Sequence, residues 1–112
     1  MPAKLNGTED SAEGFYGFET KYLEEGVTAT IPAPYSDELI AQLQDMAVTC
    51  FHALDCKSLA RVDFFVTENG PVLNEINTMP GFTAISMYPQ VWAATGVDYP
   101  QLLDTLIRTA LR

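Results

Sequence analysis

Residues 61 to 82 read RVDFFVTENGPVLNEINTMPGF: two alternating runs around Glu68-Asn69-Gly70, followed by a Pro-Gly turn. Side chains alternate across a strand. Arg61, Asp63, Phe65 and Thr67 therefore fall on one face of the first run, and Val62, Phe64 and Val66 on the other. In the second run Leu73, Glu75 and Asn77 share one face, and Val72, Asn74 and Ile76 the opposite one. The pattern predicts a hairpin, and the turn decides whether its two polar faces coincide. A two-residue Asn69-Gly70 loop sets Asp63 opposite Ile76 and mixes polar with apolar faces. A three-residue loop, Glu68 to Gly70 with Gly70 left-handed, pairs Asp63 with Glu75, Arg61 with Asn77, Val62 with Ile76 and Val66 with Val72. The second register is expected, because a one-residue slip sends half the apolar groups into water.

That register opposes two carboxylates on one sheet face, which is destabilising for an isolated pair. A divalent cation removes the conflict. Asp63, Glu75 and Asn77 offer only oxygen ligands, with no His or Cys near them, which suits a hard ion such as Mg²⁺ and argues against zinc. Mg²⁺ held by a few carboxylates keeps positions open for substrate phosphates, and Arg61, on the same face, adds a positive fork for phosphoryl oxygens. The plainer reading is a surface hairpin with solvated acids. The added Asn77 and Arg61, and the Pro-Gly loop that follows, favour the site.

At these residues the chain resembles the D-alanine:D-alanine ligases of the ATP-grasp superfamily. The match is close through ARVDFFVTENGPVLNEINTMPGFTAISMYP and continuous back to GFYGFETKYL and forward to the last helix. The resemblance implies that Asp63, Glu75 and Asn77 hold two Mg²⁺ or Mn²⁺ ions bridging the phosphates of ATP, with Glu75 shared. It further implies that Arg61 meets the transferred phosphoryl group, that the Gly81 N–H faces a tetrahedral oxyanion, and that Ser86 and the Met87 N–H hold a carboxylate. The local chemistry agrees: Pro80-Gly81 is a strong turn signal, and glycine admits a ligand close to the backbone. A backbone N–H aimed at a developing oxyanion contributes several kcal/mol.

Upstream, the segment from about 14 to 26 sets Phe15, Tyr16, Phe18 and Tyr22 among glycines and acids with no regular period. Read from its residues it is either a glycine-hinged lid or an aromatic cluster under a surface loop. The resemblance favours the lid: ETKYL looks like the end of the family's omega loop, placing Lys21 near nucleotide phosphate and Tyr22 at the substrate site, where an aromatic hydroxyl goes with D-alanine rather than D-lactate.

The remainder reads as scaffold. Ser36 caps a helix from about 37 to 54, with Leu39, Ile40, Leu43, Met46, Ala47, Cys50, Phe51 and Leu54 as an apolar stripe. His52 lies on its polar side, more in keeping with a surface residue than with an acid/base catalyst. A short helix from Pro89 to about Thr95 ends at Gly96, and a last helix starts near Pro100. Thr28 to Ile31 reads as a short strand. Together these predict an α+β unit, the C-terminal part of an ATP-grasp domain, with a mainly antiparallel sheet and packed helices over residues 1–112.

A net charge of −9, from 15 acidic against 6 basic residues, argues against nucleic-acid and anionic-membrane partners. No apolar run approaches the roughly 20 residues that span a bilayer. Cys50 and Cys56, without a secretory signal, suggest reduced cytoplasmic thiols, and the sequon Asn6-Gly7-Thr8 means little in that setting. No glycine-rich phosphate loop is present, and the lysines are Lys4, Lys21 and Lys57. The family's adenine pocket, its lysines on the α- and β-phosphates and its acid for the first substrate cannot be placed here. The expectation is the C-terminal portion of a ligase, an excised piece or a truncated reading frame. The resemblance implies that, joined to its missing N-terminal part, it joins two D-alanines at the cost of ATP and forms a homodimer. Another ATP-grasp carboxylate–amine ligase, or a non-catalytic interaction domain that kept the sheet, are the alternatives.

Overall fold

The computed structural model describes residues 2–6, 28–83 and 85–112. The lid-like segment, with Lys21 and Tyr22, lies outside them. Strands β1 (Lys4–Asn6) and β2 (Thr28–Thr30) pair antiparallel with Leu5 opposite Ala29. Helix α1 (Asp37–Ala53) starts where expected: the Ser36 hydroxyl accepts from the Leu39 N–H at 3.3 Å, and Asp37 and Glu38 occupy the positive first turn. Strands β3 (Arg61–Thr67) and β4 (Gly70–Asn77) form a second antiparallel pair. Helices α2 (Met87–Ala94) and α3 (Tyr99–Ala110) close the chain. The result is an α+β unit with two separate two-stranded sheets among the described residues.

The hairpin corrects the expected turn while keeping its consequence. Thr67 pairs with Gly70 and Val66 with Pro71, so the loop has two residues, Glu68 and Asn69, rather than three, and Val66 does not meet Val72. The Thr67 hydroxyl closes this turn: its Oγ1 donates to the Gly70 carbonyl at 2.8 Å and accepts from the Asn69 N–H at 3.2 Å. Gly70 takes a φ of 107°, as its predicted left-handed role requires. Continued unbroken, this register would set Asp63 against Asn74. A register shift between Asp63 and Phe64 leaves Asn74 without a partner and restores the expected pairs of Asp63 with Glu75, Val62 with Ile76 and Arg61 with Asn77. The extra residue switches parity, so Leu73 lies opposite Phe64 on the apolar face, and Val72 lies opposite Phe65 on the acidic one.

The helix ends differ by a turn or less from their sequence reading. Helix α2 begins at Met87, two residues before Pro89, because Ser86 is extended (φ −74°, ψ 144°) and serves as its N-cap. Helix α3 begins at Tyr99 with a reciprocal capping box: Asp98 accepts from the Gln101 N–H at 2.9 Å, and the Asp98 N–H donates to Gln101 at 3.0 Å. Among the described residues the fully buried aliphatic side chains are Ala33, Leu43 and Leu102. Leu43 lies on the predicted apolar stripe of α1, and His52 is exposed, as its position on the polar side implies. Phe82 packs between Tyr88 and Tyr99 at centroid distances of 5.8 and 5.3 Å, and the Tyr99 hydroxyl donates to the Phe82 carbonyl at 3.1 Å. These contacts pin the loop after β4 to both C-terminal helices.

Candidate active site

Three of the predicted residues converge on the outer face of the hairpin. Arg61 forks onto Asp63, with Nε donating to Oδ1 at 2.8 Å and Nη2 to Oδ2 at 2.9 Å. The same Nη2 stands 3.9 Å from Glu75 Oε1. Strand alternation places Arg61 and Asp63 two residues apart on one face, and the bulge brings Glu75 to them. The guanidinium places a positive charge between the opposed carboxylates and so counters their repulsion. Arg61 and Asp63 are part-buried, with side chains 25% and 29% exposed, so this pair is held more firmly than an ordinary surface ion pair.

Asn77 pairs with Arg61 across the ladder, and its Oδ1 accepts from the Met79 N–H at 3.0 Å. That bond turns the chain out of β4 and into the Pro80-Gly81 loop. Thus one residue belongs to both the acidic face and the loop. Gly81 lies against Ser86: a Cβ built on Gly81 would meet Ser86 Oγ at 2.9 Å, closer than such contacts allow. Ser86 Oγ also receives the Thr83 N–H at 2.9 Å and lies 2.7 Å from Thr83 Oγ1. Met87, the first residue of α2, has a helix N-terminal N–H without an intrahelical acceptor. Sequence reading did not single out Thr83 or the bulge at Asn74. The Thr-x-x-Ser spacing ahead of a helix start was the available signal for Thr83.

The donor set fits a hard cation. Two carboxylates and one amide supply oxygen only, and Mg²⁺ commonly takes one or two carboxylates with the rest of its shell from phosphate and water. Among the described residues no group of three His, Cys, Asp or Glu side chains converges. An open, largely apolar cavity of about 580 Å³ lies between α1 and Leu73. Leu73 is on the face opposite Asp63 and Glu75, so this cavity is separate from the acidic site. Burial raises the Tyr88 hydroxyl above its ordinary pKa, which keeps it a neutral phenol beside the loop.

Solved structures define the class. The D-alanine–D-alanine ligase from Coxiella burnetii is 48% identical over 75% of this chain and 24% of its own, with a TM-score of 0.71. The VanG D-Ala:D-Ser ligase from Enterococcus faecalis is 36% identical over 96% of this chain and 30% of its own, with a TM-score of 0.72. The fold is that of the C-terminal part of an ATP-grasp ligase. The family described as D-ala D-ala ligase C-terminus matches residues 4–108, and the chain belongs to it. A D-alanine–D-alanine ligase from Corynebacterium efficiens is 65% identical over 99% of this chain, which spans 31% of that relative's length. Among the described residues no helix is long and apolar enough to cross a membrane.

Proposed function

We propose that this chain is the C-terminal portion of an ADP-forming D-alanine:D-alanine ligase that joins two D-alanines through an acyl phosphate in the cytoplasm, for peptidoglycan precursor synthesis. The observation that carries the reading is the opposition of Asp63 and Glu75 under the Arg61 fork, in a chain of this family. Asp63, Glu75 and Asn77 would hold Mg²⁺, which supplies neutralising charge to the phosphates of ATP. Arg61 is the group that orients the transferring phosphoryl oxygens, and it turns from Asp63 to reach them. Gly81 offers its N–H to the oxyanion formed as the second D-alanine's amine attacks the acyl phosphate. Ser86 and the Met87 N–H take that second substrate's carboxylate at the positive end of α2. Lys21 and Tyr22 complete the nucleotide and substrate contacts. The resemblance supports these roles and the homodimer of the complete enzyme.

The superposition of a D-Ala:D-Ser ligase over 96% of the chain keeps D-serine as a second candidate for the attacking amine. The test joins residues 1–112 to the first two thirds of the Corynebacterium efficiens relative. The chimaera should form D-alanyl-D-alanine with ATP and Mg²⁺, and prefer D-alanine to D-serine. The 112-residue chain by itself should form none, because phosphoryl transfer depends on positioning both ends of the nucleotide. An inactive chimaera, or product from the short chain, would overturn the reading.

A further inference from the structure

Ser86 occupies an N-cap position yet does not cap. Serine there ordinarily accepts from the N–H of the second or third helical residue. In α2 the third is Pro89, which has no N–H, and the Ser86 hydroxyl makes no capping bond. It turns back onto Thr83 instead. Thr83 and Ser86 form a closed pair: the Thr83 N–H donates to Ser86 Oγ at 2.9 Å, the Ser86 N–H donates to the Thr83 carbonyl at 3.0 Å, and the two hydroxyls lie 2.7 Å apart.

A serine hydroxyl has two acceptor lone pairs and one proton. The Thr83 N–H fills one lone pair. The short contact between hydroxyls uses one of the two available protons and leaves the other to point away from the pair. An anion at Ser86 selects the arrangement in which Thr83 Oγ1 donates to Ser86 Oγ. Both Ser86 lone pairs are then filled, and its proton is directed at the anion. The hydroxyl acts as a pure donor, polarised by the bonds it accepts.

We propose that Thr83 is a positioning residue that makes Ser86 an obligate donor to the carboxylate of the second amino-acid substrate. This rests on the assignment of Ser86 to that carboxylate. Gly81 closes the third side of the arrangement, since any side chain there would displace Ser86 Oγ.

The experiment is steady-state kinetics on the chimaera carrying Thr83→Val, Thr83→Ser, Ser86→Ala and the double variant Thr83→Val with Ser86→Ala. Thr83→Val keeps the N–H and the side-chain shape but loses the hydroxyl. It should raise KM for the second D-alanine about tenfold, the size of one charge-assisted hydrogen bond, while kcat and KM for ATP stay within about twofold. Thr83→Ser should restore the wild-type KM to within about twofold. The double variant should be no worse than Ser86→Ala, because Thr83 acts only through that hydroxyl. If Ser86→Ala raises KM but Thr83→Val does not, or if the two effects multiply, Thr83 has no positioning role and the ligase reading survives. If Ser86→Ala also leaves KM unchanged, the carboxylate assignment falls, and this inference with it.

Discussion

Glu75 and Asn77 lie on one face two residues apart, yet the structure loads them differently. Among the described residues Glu75 meets the cluster through Arg61 at 3.9 Å, whereas Asn77 Oδ1 also holds the Met79 N–H at 3.0 Å. Glu75→Gln therefore removes charge from the proposed metal site without disturbing the loop. Outer-shell partners of a metal already cost about 10- to 100-fold when lost, so if Glu75 is the direct charged ligand proposed above, its loss is expected to lower kcat of the chimaera by about 100-fold or more. Asn77→Asp keeps an oxygen for both the cation and the Met79 N–H, and partial turnover with a shifted Mg²⁺ dependence is expected. Titrating Mg²⁺ against rate for both variants checks this; near-normal turnover of Glu75→Gln at ordinary Mg²⁺ would remove Glu75 from the metal site.

At the scale of the element, the hairpin reaches the expected opposition of Asp63 and Glu75 by a two-residue loop plus a bulge. Thr67 is the side chain that selects the short loop, with bonds of 2.8 and 3.2 Å across it. Thr67→Val keeps the β-branched shape and deletes both bonds. The expected loss is about 1 kcal/mol, or a fall in Tm of roughly 4–8 °C for a domain of this size. Amide exchange at Asn69 should quicken, and Thr67→Ser should recover most of the loss. An unchanged melt with unchanged exchange at Asn69 would mean that Gly70 alone sets the turn.

For the whole molecule, the fully buried aliphatic side chains described are few, so each carries a large share of the stability. Leu102 is 3% exposed and faces inward from α3, while Ile107 and Leu111 of the same C-terminal stretch are 59% and 81% exposed. Leu102→Ala is expected to cost about 2–5 kcal/mol through lost transfer energy and a residual cavity. Ile107→Ala, already in water, should cost well under half of that. Urea unfolding of the 112-residue chain compares the two; equal losses would show that the side chains of α3 do not divide into a buried and an exposed set as described.

Much of this protein was legible in its residues. Period-2 alternation marked both strands of the hairpin and the side on which Arg61, Asp63, Glu75 and Asn77 meet. Ser36 and the apolar stripe marked α1, and Pro100 marked the start of α3 to within one residue. These features are legible because alternation, helical period and capping are properties of the local backbone. The tertiary structure decided what depends on two segments meeting. The three-residue loop and the two-residue loop with a bulge yield the same pairing of Asp63 with Glu75, and differ only nearer the turn. Choosing between them required the Thr67 hydroxyl across the loop and the placement of Leu73 beside Phe64, facing α1. The diversion of Ser86 from its helix to Thr83 was hidden for the same reason: a hydroxyl has several acceptors and donors within reach, and only the folded loop, pinned by Phe82 between Tyr88 and Tyr99, determines which of them it meets.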